Sequence, residues 1–310
     1  MTLGSALTLL QSAGELGLIS ALTVLALFLS YSMLNVCDLS TDGCFTLGAT
    51  VGDVVAIAGH PYLSIAAAMG AGIVSGLITA ILQTKMGINS LLAGIIVNTA
   101  LYSINIGVMG NSSVLNMNKT VTVFTKTQDL LKKVGMGGQF KLIVAAAAVL
   151  LVCIFLAFFL KTRLGLAIRA TGNNPDMVKS SSINPVFTTI VGLCVANSFT
   201  ALSGCLLAQS QKSVNIDIGT GMVTIALASL LIGGVFTSKR KIPVQIIGMV
   251  LGSFIFRLVY TVALRLDMPA FMLKFVSSVI VVIAISAPYL KQKMPLFKRR
   301  MSLRKEGGTV

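Results

Sequence analysis

The chain has 310 residues, of which 55% are hydrophobic and only 11% charged, with no tryptophan and a net charge of +15. A water-soluble domain of this length needs about a quarter of its residues charged, so most of this surface faces lipid or other helices. Backbone in hydrocarbon must satisfy its own hydrogen bonds, and apolar runs of about 20 residues without period-2 alternation select helices over barrel strands.

In chain order, apolar segments of spanning character fall at 15–36, 43–59, 62–83, 88–109, 140–160, 184–208, 220–237, 243–263 and 271–289. They predict an all-α polytopic transmembrane bundle of about 8–10 spans, a single domain over residues 1–310. The N-terminus has neither the basic start nor the small-residue cleavage site of a secretory signal, so the first segment is expected to stay, with a short interfacial helix over 1–14. The second segment is no plain span. Asp38, Ser40, Thr41, Asp42 and Gly43 precede it and Gly48, Gly52 and Asp53 interrupt it, which predicts a broken or re-entrant helix near 38–59 lining a cavity.

His60, the only histidine, stands beside Pro61 in a loop and supplies neither a nucleophile–base pair nor a metal cluster. Later segments carry Asn98, Asn105, Asn197, Ser198, Gln209 and Ser229 at membrane depth. Each is costly in hydrocarbon unless it faces a cavity or a neighbouring helix. For any one alone the plainer reading is a helix-to-helix hydrogen bond, worth about 0.6 kcal/mol. As a set with Asp38, Ser40 and Asp42 they suggest a polar path. None of the six is ionisable, which argues against a proton or sodium relay. Arg257 in the eighth segment either bonds to polar backbone and neighbours or meets an anionic group, the first being the plainer reading. Cys37, Cys44, Cys153, Cys194 and Cys205 form no C-x-x-C pair and read as buried thiols.

Between the fifth and sixth segments, residues 161–184 are longer than a turn requires. Asn174 is a good N-cap, Pro175 suits the first helical position and Asp176 favours the positive end of the dipole, so a short helix is written from about 175 to 181. On residue chemistry alone this stretch reads equally as a docking helix or an amphipathic connector.

Basic residues fix the expected orientation. The tail 290–310 holds Lys291, Lys293, Lys298, Arg299, Arg300, Arg304 and Lys305 against Glu306, so it is expected in the cytoplasm, with the loops at 238–242, 161–183 and 84–87. This places the N-terminus outside, together with the loop 110–139. That loop opposes the rule, since it carries Lys119, Lys126, Lys132 and Lys133. Basic residues held in short loops read as a membrane inner face rather than a nucleic-acid surface.

Several stretches resemble a known family. Thr162-Arg163-Leu164-Gly165, Arg169-Ala170-Thr171-Gly172-Asn173-Asn174 and Ile183-Asn184 are similar to the cytoplasmic coupling segment of the permeases of ABC importers that include the ribose and branched-chain amino-acid permeases. Ser182 stands where that family usually has Gly. Asp38-Leu39-Ser40, Asp42-Gly43 and Leu47-Gly48-Ala49 resemble the family's broken second helix. The tryptophan/tyrosine-type subgroup is matched more closely by Leu91-Leu92-Ala93-Gly94-Ile95, Thr99-Ala100-Leu101-Tyr102-Ser103-Ile104-Asn105, Ala201-Leu202-Ser203-Gly204 and Leu227-Ala228-Ser229. Lys212, Asn215 and Asp217 depart from it.

The resemblance implies the membrane-spanning permease of an ATP-driven importer in the plasma membrane, passing a small solute, an aromatic or other amino acid. It implies as partners two ATP-binding subunits, an extracellular solute-binding protein, a second copy of the permease and membrane lipids, with no nucleic acid. No G-x-x-x-x-G-K-S/T stretch occurs, so ATP and magnesium would sit on the partner; the chain itself is expected to hold no cofactor or metal and to be no enzyme. Residues 161–184 would be the coupling segment, with Asn174, Pro175, Asp176, Met177, Val178, Lys179, Ser180 and Ser181 meeting the ATPase, Met177 and Val178 together forming the contact face. Asp38, Ser40, Asp42, Asn98, Asn105, Asn197, Gln209 and Ser229 would line the path. The alternative is a secondary transporter driven by an ion gradient.

Overall fold

The computed structural model describes residues 3–118, 120–132, 139–237 and 240–265, with isolated helical positions between 275 and 286. Most of the ninth expected span (271–289), Lys239 and the basic tail 290–310 lie outside the described residues.

Helix α1 (Leu3–Leu27) runs into a π-helical turn (Phe28–Met33), after which Asn35 takes a left-handed φ of 57° and the chain stays unwound to Ser40. Helix α2 (Thr41–Ile57) follows and is continuous. The break therefore precedes the segment: Gly48, Gly52 and Asp53, expected to interrupt it, lie inside a regular helix. They are tolerated because α2 packs against other helices rather than relying on propensity.

Pro61 opens α3 (Pro61–Thr84) and the Asn89 side chain caps α4 (Ser90–Val108) by accepting the Leu91 N–H. Strand β1 (Val114–Asn116), α5 (Val123–Lys132), α6 (Phe140–Phe159), α7 (Arg163–Asn173), α8 (Pro175–Ser180) and α9 (Pro185–Gln211) follow. The chain closes its described part with β2 (Ser213–Asn215), α10 (Met222–Thr237) and α11 (Ile242–Arg265). The strands pair antiparallel with Leu115 opposite Val214.

Six helices among the described residues are long and apolar enough to cross a bilayer, and Met222–Val235 is a shorter apolar helix. Helices α1 and α9 form the centre, with 72% and 78% of their apolar windows buried, against 28% and 22% for the peripheral α4 and α6. On α6, Ala145, Val149, Val152 and Leu156 turn inward while Leu150, Leu151 and Phe158 are exposed, the stripe of a helix with one face in lipid.

Depth follows from the partners along α9. Cys44, Gly48 and Gly52 of α2 lie against Asn197, Ala201 and Cys205 in turn, so the two helices run parallel and α2 begins level with the middle of α9. Small residues allow this approach. A Cβ on Gly48 would run into the Ala201 carbonyl, and one on Gly204 into the Phe45 carbonyl. Gly48→Val should therefore force α2 from α9 at a cost of about 1–3 kcal/mol or more. Thermal melting of the purified chain should fall clearly for Gly48→Val and hardly change for Gly70→Val, since nothing lies within 4 Å of a Cβ at Gly70.

Candidate functional site

The unwound stretch before α2 is held by a buried polar latch. Asp38 accepts the Ser40 N–H at 2.8 Å on Oδ1 and the Asn197 amide at 2.9 Å on Oδ2, while Thr41 donates to its carbonyl at 2.9 Å. Thr79 of α3 donates to the Ser40 hydroxyl at 3.3 Å. Asp38, Ser40 and Asn197 are thus brought together, each nearly without exposure.

One turn on, Asp42 reaches across to α10. Its carboxylate accepts the Gly221 N–H at 2.9 Å and the Val223 N–H at 2.8 Å, so a residue in the first turn of α2 caps another helix through space. Gly219 backs directly onto the Asp42 carbonyl. The N-termini of α2 and α10 consequently meet at mid-depth, an arrangement in which helix ends and unwound backbone face a cavity.

That cavity, of about 300 Å³, is lined among others by Asp42, Asn98, Thr99, Tyr102, Asn105 and Thr220, with Asp217 also at its wall. Asn105 is 1% exposed. Its Nδ2 donates to the Gly43 carbonyl at 3.3 Å, and its Oδ1 has no partner among the described residues. Because a carbonyl can only accept, this bond orients the amide and leaves an oxygen as the unpaired atom.

Gln209 and Ser229 stand elsewhere. Gln209 accepts the Val123 N–H at 3.1 Å and donates to the Ser64 hydroxyl at 2.7 Å, tying α9 to α3 and to the start of α5. Ser229 donates to the Ile225 carbonyl one turn back and sits beside Gly252 of α11. Arg257 donates to the Ser20 hydroxyl at 3.2 Å and lies over the Tyr260 ring, joining α11 to α1 away from the cavity.

Sequence reading took Asp53 only as an interruption of the second segment, not as a buried carboxylate. Asp53 has no exposure, and neither oxygen has a hydrogen-bond partner among the described residues. Its only signal was an acid within an apolar run. Thr99, Tyr102 and Thr220 were missed as lining residues because they are ordinary helix or loop residues until α4 and the loop before α10 are brought together.

On the opposite face from β1, β2 and α5, the stretch 161–184 forms two helices. Thr162 caps α7 through the Gly165 N–H, and the Thr171 and Thr188 hydroxyls, 2.8 Å apart, tie α7 to α9. Asn174 caps α8, accepting the Asp176 and Met177 N–H groups at 3.1 Å each. Lys179 pairs with Asp176 at 3.3 Å, and the Ser180 and Ser181 hydroxyls donate to the Met177 carbonyl. Met177 is 67% exposed but Val178 only 3%. Val178 is therefore an internal anchor, not half of an outward contact face as expected. Ser182 holds a left-handed φ of 59°, the conformation glycine adopts freely, which gives the departure from Gly at this position its physical meaning.

Residues 13–285 match the family model described as the permease component of branched-chain amino acid transport systems. The tyrosine transport system permease protein of Clostridioides difficile (strain R20291) is 32% identical over 86% of this chain and 86% of its own length. An uncharacterized protein, RP368, of Rickettsia prowazekii is 31% identical over 73% of this chain and 77% of its own. The ribose import permease protein RbsC of Escherichia coli (strain K12) is 26% identical over 82% and 78%. No solved structure matches the chain.

Proposed function

This chain belongs to the family of permease components of branched-chain amino acid transport systems, and from that premise we propose that it forms the solute path of an ATP-driven importer. It is a multi-pass membrane protein and a permease subunit of an ABC transporter. The observation that carries the finer reading is the polar cavity at mid-depth, where α2 and α10 end against each other beside Asn98 and Asn105. In this reading a solute delivered by an extracellular binding protein passes this point, and two ATP-binding subunits hold the ATP and magnesium and drive α8 from the cytoplasmic face. A second copy of the permease covers the open side of the cavity. Asp38, Ser40 and Asn197 hold the unwound backbone that shapes the path, and Gln209 and Ser229 support it from a distance. The solute is a small molecule of the amino-acid class, aromatic ones included, supported by the likeness to a tyrosine permease. In this reading α7 and α8 lie on the cytoplasmic face, which the basic residues of that stretch support.

Asp53 favours a second reading, since buried carboxylates are the usual carriers in ion-driven transporters. One experiment separates the two. A stoichiometric ATPase should co-purify with the detergent-solubilised chain, and Asp53→Asn, which keeps the shape and removes the charge, should retain at least half of wild-type uptake in cells. Purification of the chain without an ATPase, together with abolished uptake in Asp53→Asn, would establish the ion-driven reading instead.

A further inference from the structure

We propose that the groove between α3, α6 and α9 binds an anionic phospholipid, with an acyl chain along its apolar wall and the headgroup at Lys126 of α5. The groove, of about 760 Å³, is walled by Ile65, Met69 and Ile73 of α3 and by Val144, Ala148 and Phe155 of α6, over a floor of α9. Its one hydroxyl, Ser198, donates to the Val195 carbonyl of its own helix. The wall therefore suits an apolar occupant. It does not suit a second copy's helix, because close helix approach in hydrocarbon relies on small residues. Those of α3 already face α9, where Gly72 lies against Asn197 and Gly76 against Leu193. A flexible acyl chain fills what the bulky side chains leave open.

Charge at one end of the groove decides which lipid. Helix α5 is amphipathic, burying Val123 and Phe124 while Lys126 and Asp129 are exposed. It packs against α6, its Val123 N–H bonds to Gln209 near the end of α9, and the Lys126 Nζ lies 5.1 Å from the centre of the Tyr62 ring in the first turn of α3. One short helix thus reaches all three elements of the groove at the same end, as a helix lying in the membrane interface would. Tyr62 marks the headgroup level, and Ile65 begins the apolar wall one turn deeper. Asp129 is engaged by Lys132 at 3.8 Å, and no carboxylate pairs with Lys126 among the described residues. Lys141 stands with Glu15 at a separate cavity and is left out of the site. In the proposed topology this face is the outer one, where the preference for basic residues inside gives the lysines of 110–139 no role. An anionic headgroup gives them one, and the site is the same whichever leaflet α5 meets. It is independent of the reading of the mid-depth cavity as the solute path.

The test incubates the full chain, purified in detergent, with equal amounts of phosphatidylglycerol and phosphatidylcholine that carry the same photoreactive acyl chain. Adducts are then located by mass spectrometry of the digested protein. They should fall on residues 65–73 and 144–155, with phosphatidylglycerol exceeding phosphatidylcholine there about fivefold, the effect of one lysine near a membrane surface. Lys126→Glu should bring the ratio to about one or below, and Lys126→Arg should keep it. Because Lys126 is exposed, Lys126→Glu should melt as wild type in lipid-free detergent, which separates loss of lipid from loss of fold. Lys241→Glu is the control: it lies two residues before Pro243, which shares a groove with Ala157 at the other end of α6, and should leave the ratio unchanged. Equal labelling by the two lipids, a ratio indifferent to Lys126→Glu, or phosphatidylglycerol adducts concentrated on the exposed face of α4 at Leu91 and Leu92 would overturn the inference. So would displacement by excess soluble glycerol phosphate, the mark of a plain anion site, and so would a groove free of adducts because a second copy fills it.

Discussion

Met177→Asp should release the ATP-binding partner from the solubilised complex and bring solute uptake to background, while the amount and melting temperature of the permease stay near wild type. Helix α8 is short, but both its ends are fixed. Asn174 caps it with two hydrogen bonds, Pro175 presets its first turn, and Val178 buries itself in the chain while Met177 is left out in water. A short helix pinned by one buried valine can pass displacement to α9 as a rigid piece, whereas a loose loop would absorb it. Met177 is two-thirds exposed on this piece, which leaves it free for the proposed contact. A carboxylate pressed into the apolar cleft expected to receive Met177 loses its water without gaining a partner, at a cost of several kcal/mol. At about 1.4 kcal/mol per tenfold, affinity falls at least a hundredfold. Val121→Asp, an exposed apolar position on the opposite face, is the matching control and should leave both ATPase retention and uptake unchanged. Wild-type uptake by Met177→Asp with its ATPase still bound would remove α8 as the coupling element.

What the sequence disclosed and withheld divides along physical lines. Helix positions were legible because hydrophobic runs and caps are local: Asn174 and Pro175 act at the terminus they announced. The unwound stretch before α2 was legible from Asp38, Ser40 and Asp42. Its extent was misjudged, since Gly48 and Gly52 weaken an isolated helix but let α2 approach α9 in a packed one, and only the neighbour decides. The same holds for the polar set. Nothing local separates Asn105, which lines the cavity, from Gln209, which ties three elements together. Their roles depend on which helices meet, a long-range fact. Val178 and Met177 are adjacent in sequence and opposite in exposure, because a helix of less than two turns turns one residue in and the next out.

Asp42→Ala should reduce uptake per molecule of membrane-inserted permease by at least about tenfold and also lower its amount, in contrast to a residue acting only as a cap. The carboxylate accepts the Gly221 and Val223 N–H groups, so removing it strands two donors at a partly buried helix end. A lost cap alone costs about 0.5–2 kcal/mol, and hydrogen bonds to a charged group are worth about 1.5–3 kcal/mol each. This explains a loss of protein. The additional loss of uptake comes from position: Asp42 is at once the cap of α10 and part of the cavity wall, and Gly219, packed on its carbonyl, transmits any shift of α10 to that wall. Asp42→Asn separates the contributions in part, because its single amide oxygen can accept one of the two N–H groups while carrying no charge. The amount of protein should then recover in part from its level in Asp42→Ala, and uptake per molecule should stay at the level of Asp42→Ala. Quantitative immunoblotting of membranes beside initial-rate uptake gives both values from the same cells. If uptake and protein fall in parallel in Asp42→Ala and recover together in Asp42→Asn, Asp42 does no more than hold α10 in place, and the solute path has to be sought away from the junction of the two helix ends.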